Sequence, residues 1–273
     1  MNFRSHLSRA FGFRYPTHRL VVAIGVVVGV VAAVGWLNDT KTVSALLAPV
    51  YVGVVWALVR EIDPDNDWTA IAAAAFAGWW VLQQNPVVSA LAVGAMAVSA
   101  RIMSETTGRR PLVTDLVVVA VLGIGVAYTV EGWVAGLGVA GAMVVDHRRA
   151  ERRLRIQPWI ALATAIGASV TAWITGVELT AGAVSARAAL AAAVAAFVLI
   201  IRRPVLPTSL VDARRKTPLL QSRIHASRAV TGIVVYAMAV TLNSLDAMDL
   251  TPLLVALALV IISNEVEGIT RRG

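Results

Sequence analysis

Apolar residues in this chain gather into long runs separated by short polar breaks. A helix that crosses a bilayer needs roughly 20 mostly apolar residues. Measured against that length, the runs predict ten spans, at 20–37, 43–60, 68–84, 86–103, 112–129, 131–146, 158–176, 181–201, 226–243 and 250–266. Two stretches must be divided to reach that count. As one helix, 112–147 would be about 54 Å long, nearly twice the hydrocarbon thickness. It is therefore expected to turn back at Thr129-Val130-Glu131-Gly132, the polar break near its middle. The stretch 68–103 is broken in the same way by Gln83-Gln84-Asn85-Pro86, where Pro86 suits the first turn of a helix because its missing N–H costs nothing there. The sixth span is the shortest of the ten.

The predicted class is an all-α integral membrane protein whose ten helices form five hairpins. Its expected parts are a basic N-terminal segment (1–19), an eight-helix membrane region (20–201), a basic loop (202–225), a C-terminal transmembrane hairpin (226–267) and a short tail (268–273). The first apolar run is longer than a signal-peptide core and no small-x-small cleavage site stands out, so its helix is expected to be retained.

Charge orients the spans. Assigning alternate loops to two sides puts 22 of the 24 Lys and Arg on the side of the N-terminus and leaves Lys41 and Arg187 on the other. The positive-inside rule then predicts both termini in the cytoplasm, with anionic lipid head groups as neighbours of that face. The net charge of +8 reads as a topology signal. A nucleic-acid partner is not expected, because the basic residues sit in short loops without interleaved aromatics. Abundant Arg, Ala and Val with two Lys point to a GC-rich genome, and the expected location is a bacterial or archaeal plasma membrane.

Composition narrows the chemistry. With 58% hydrophobic and 15% charged residues, a soluble globular enzyme is excluded. With no cysteine, thiolate catalysis, Cys-ligated zinc and iron–sulfur clusters are excluded as well. No P-loop lysine motif, HExxH, GxSxG or GxGxxG in a nucleotide-binding context occurs. Small residues four apart, Gly25/Gly29/Ala33 and Gly132/Gly136/Ala140, allow close helix approach. They serve packing within the chain or a seam in a homo-oligomer, and ten helices to pack favour the first.

Two sets of residues are candidates for a site. Glu61, Asp63, Asp65 and Asp67 alternate along one inner loop, and carboxylates at that density suit Mg²⁺ together with a substrate phosphate. The competing reading is structural: a turn at Asp63-Pro64 and an N-cap at Asp67. The spaced aspartate pattern of membrane prenyltransferases is absent from this loop. Arg187, in the alanine-rich run 181–201, is expected to face the bundle or a wet cavity. Its expected partners there are Glu178 or Glu131, and its planar fork would suit an anionic solute. The alternative is a head group reached by snorkelling. Asp115, Asp146, Glu265 and Glu267 are expected to play interfacial roles at span ends.

In length, short spans, cytoplasmic termini and a five-plus-five division, the chain resembles the drug/metabolite transporter architecture at the level of topology. That resemblance implies a small-solute transporter without a resident cofactor. A Mg²⁺-dependent lipid or prenyl-phosphate enzyme built on the 61–67 loop is the second reading. A non-catalytic membrane subunit or scaffold is the third.

Overall fold

The computed structural model describes residues 16–36, 42–83, 89–106, 111–150, 154–177, 186–204, 219–241 and 250–270. Among them there are ten helices and no strand. These are α1 (Pro16–Trp36), α2 (Thr42–Ile62), α3 (Asp67–Leu82), α4 (Ala90–Ser104), α5 (Val113–Gly125), α6 (Val130–Arg149), α7 (Gln157–Ile174), α8 (Ala186–Ile201), α9 (Gln221–Thr241) and α10 (Thr251–Thr270). Each predicted apolar run thus contains one helix, but their lengths differ from expectation. Three helices in the described residues are long and apolar enough to cross a bilayer: Pro16–Val34 of α1, α9 and α10. Others are shorter, from 13 residues in α5 to 16 in α3 and α8. At about 1.5 Å per residue they reach only about 20–24 Å.

The sixth helix is not the shortest. It has 20 residues, and the short member is its hairpin partner α5. The chain turns earlier than the polar break, over Val126–Tyr128, and Thr129 caps α6 by accepting from the Gly132 amide at 3.1 Å. Glycine makes this tight return feasible. A Cβ on Gly132 would run into the Val126 carbonyl oxygen, and one on Gly136 into that of Gly123. The Gly25/Gly29 pair also works within the chain: Gly29 faces the ring of Pro49 on α2, where a Cβ would lie 2.9 Å from Pro49 Cγ.

Four helices form the centre. α4 packs against α2, α6 and α9, while the other six lie around this group. The space where α4, α6 and α9 meet is about 10 Å³, lined by Met96, Ser99, Thr231 and their neighbours, which is about the room of one water. Outside, the surface is apolar. Val26, Val27, Val30, Val118, Val121, Ile166, Leu190, Val194 and Phe197 are exposed on α1, α5, α7 and α8. Contiguous apolar exteriors of that extent suit contact with lipid rather than water.

Candidate functional site

Polar burial concentrates at one end of the bundle. There the C-termini of α2, α4 and α6 meet the N-termini of α3, α7 and α9. Three neighbouring helix ends present unpaired carbonyls and the negative ends of their dipoles, a setting that favours cations. The first turns of α9 supply them. Arg228, 4% exposed, donates from Nε to the Ile62 carbonyl that ends α2 at 2.6 Å, and from its terminal nitrogens to Asp63 Oδ1 at 2.9 Å and Asn264 Oδ1 at 3.1 Å. One turn earlier, Arg223 donates to Asp146 Oδ1 at 2.8 Å and to the Met103 carbonyl near the end of α4 at 3.4 Å. It also pairs with Glu105 at 3.1 Å. Ser227, between them, donates to the Ala100 carbonyl at 3.2 Å. Gln157, at the start of α7, completes Asp146 with a bond to Oδ2 at 2.9 Å and covers the Met143 carbonyl at 3.0 Å.

The acidic loop does not act as one ligand set. Glu61, 0% exposed, accepts from Arg101 Nε at 2.8 Å and from the hydroxyls of Ser104 and Thr106. Asp63 turns to Arg228, and Asp67 pairs with Arg60. Asp65 lines a groove. Among the described residues no three His, Asp or Glu side chains are grouped to hold a metal ion. The N-cap expected at Asp67 belongs instead to Asn66, whose side chain bonds Ser263 rather than the helix. Asp67 occupies the first turn, where its charge still complements the helix dipole.

Nor does the structure gather the second set. Arg187 is exposed on the first turn of α8, on the same stripe as Leu190, Val194 and Phe197. It therefore points outward, away from the bundle interior expected from sequence. Glu131 lies half-buried on the first turn of α6, and among the described residues α6 and α8 make no contact. Glu178 lies outside the described residues. Of the remaining carboxylates, Asp146 is a buried member of the network rather than an interfacial group. Asp115 is buried in the first turn of α5, where it accepts from the Leu112 amide, and Glu265 pairs with Arg202 at 3.5 Å.

Beside this network an open groove of about 510 Å³ runs between the start of α3 and the second half of α10. Asp65, Asn66, Thr69, Ser263, Glu267 and Thr270 supply its polar lining, and Trp68, Leu259, Ile262 and Val266 its apolar lining. Asp63 stands next to it, close to the hydroxyls of Thr69 and Ser263, although its Oδ2 meets no partner at hydrogen-bonding geometry. No family model, curated protein or solved structure matches the chain.

Burial pushes the Asp63 carboxyl up to about 6 from 3.8; Arg228 and the two hydroxyls pull the other way, and Glu267 adds to the rise. A carboxyl raised in the folded state favours the protonated form. Its contribution to stability is intact below about pH 4 and is lost as pH rises through about 6. Asparagine imitates the protonated group. The melting temperature of Asp63→Asn, compared with the parent, should coincide near pH 4.5 and lie above it at pH 7.5. A difference independent of pH would contradict the assignment.

Proposed function

We propose that this is a multi-pass membrane protein of ten spans, with both ends in the cytoplasm, that carries a small solute. The observation that supports this reading is the groove between α3 and α10, amphipathic and large enough for a small organic molecule, set beside the buried Asp63–Arg228 ion pair. A carrier needs a site a solute can enter and a charged element whose pairing can change with occupancy. The Arg187 set lends no support to an anionic solute, since Arg187 lies on the outward stripe. The Mg²⁺-dependent enzyme draws none from the loop, where three carboxylates each face a separate arginine. The scaffold reading is favoured by one feature, the close packing of α4, α6 and α9 around a space of about 10 Å³.

Orientation is tested by single cysteines, which the native chain lacks. Thr175→Cys should be labelled by an impermeant maleimide added to intact cells, and Ser222→Cys only after permeabilisation. The opposite pattern overturns the orientation. Carriage is tested by flux: proteoliposomes should equilibrate at least one of a panel of small organic cations, neutral solutes and anions faster than protein-free vesicles. No flux with any of them leaves the scaffold reading.

A further inference from the structure

The helices around α9 touch one another in the order α6, α4, α2, α10, α8. Among the described residues this ring stays open, because α8 and α6 make no contact. The outward side of α9 therefore lies in the gap between them. Along that side Ser222, His225, Ala229, Ile233 and Tyr236 recur every three or four residues, each exposed or half-buried. The stripe is polar at its head and apolar past His225. From His225 to Tyr236 it runs about 16 Å, close to half the roughly 30 Å hydrocarbon thickness.

Two guanidiniums flank the head of the gap. Arg149 ends α6 on one side, and Arg203 follows α8 on the other. Both are exposed, and both lie close enough to His225 for their charges to bear on it. Arg228 does so as well, from its buried pair with Asp63. Arg149 is held in place by a bond to the Ser222 carbonyl. Among the described residues no carboxylate pairs with Arg149 or Arg203, since Asp146 is taken by Arg223 and Glu265 by Arg202. The C-terminal ends of α6 and α8 favour cations there, but each offers only roughly half a charge, and the start of α9 opposes them with its positive end. Positive charge is thus left over at the top of an apolar track one leaflet deep. A phosphate fits the forks of two arginines, and the track below them suits the chain attached to it.

We propose that the gap between α6 and α8 holds an anionic glycerophospholipid, its phosphate between Arg149 and Arg203 and one acyl chain along Ala229, Ile233 and Tyr236. The site is independent of whether the chain carries a solute. Dioleoylphosphatidylglycerol is titrated onto the full chain in detergent and counted by native mass spectrometry. Dioleoylphosphatidylcholine, with the same tails and no net charge, is the comparison.

One phosphatidylglycerol should bind about tenfold more tightly than phosphatidylcholine. Arg149→Gln and Arg203→Gln should each weaken it about three- to tenfold, and Ile233→Ser about two- to fivefold. Arg19→Gln should leave it unchanged, because α1 meets neither α6, α8 nor α9 among the described residues. On the unmodified protein, raised ionic strength should weaken binding, a reading that depends on no variant folding. Equal affinity for the two lipids, or binding indifferent to both arginine substitutions, overturns the site. Glycerophosphoglycerol, the same head group without tails, separates a lipid from a soluble anion. It should fail to displace phosphatidylglycerol at millimolar concentration; displacement there overturns the lipid and leaves a site for a free phosphate ester.

Discussion

Replacing Arg228 with methionine will destabilise the protein by about 3–5 kcal/mol, the usual cost of breaking a buried, hydrogen-bonded charge pair from one side. For a chain of this size that is a fall in melting temperature of roughly 6–20 °C. Three acceptors lose their donor at once: the Ile62 carbonyl, Asp63 Oδ1 and Asn264 Oδ1. The effect will be asymmetric. Asp63→Asn removes a charge that burial disfavours, and should raise rather than lower the melting temperature at pH 7.5. The loss on Arg228→Met should also shrink between pH 8 and pH 5, because the abandoned Asp63 can take up a proton. Equal losses from the two single substitutions at pH 7.5 would mean that Arg228 is held by Asp63 alone. The carbonyl at the end of α2 would then contribute nothing.

A second large effect is expected where no charge is involved. Gly136→Val places a branched side chain where α6 touches the backbone of α5, with the added Cβ 2.4 Å from the Gly123 carbonyl oxygen. Overpacking of that kind costs about 1–3 kcal/mol when side chains can adjust, and more when the obstacle is main chain. The loss here should be about 3 kcal/mol or greater. Gly141→Ala provides the comparison on the same helix, because nothing lies within 4 Å of its added Cβ. That change should be neutral or slightly stabilising, since alanine is the better helix former. Similar losses from the two substitutions, measured by thermal unfolding in detergent, would remove the close-approach explanation.

The helices were legible because hydrophobic runs and polar breaks are local properties. The α5–α6 turn was misplaced by a few residues because the glycine contacts that decide it are made across the hairpin. The start of α9 was missed for a different reason. Arg223 and Arg228 look like loop charges when hydropathy alone sets the boundary, whereas Arg223, Ser227 and Thr231 recur every four residues and all are buried on one face. That spacing was the available signal for an interior polar stripe. Their partners were not readable, since Asp63 lies 165 residues from Arg228 and Asp146 lies 77 from Arg223. The acidic loop invited a metal reading because alternate carboxylates look like one cluster in sequence. In space Glu61 and Asp63 reach partners on α4 and α9, whereas Asp67 turns back to Arg60 on α2.

The insertion of α9 among the ends of α2, α4 and α6 also sets an order of assembly. During synthesis those three helices emerge long before the arginines that will close over them. Until α9 arrives, Asp63 and Asp146 have no guanidinium from it, and the carbonyls of Ile62 and Met103 have no side-chain donor from it. The first eight helices therefore present an unfinished polar surface. The late helix closes over the polar ends of helices that α4 already joins, so a chain halted after α8 leaves those acceptors without the donors α9 brings.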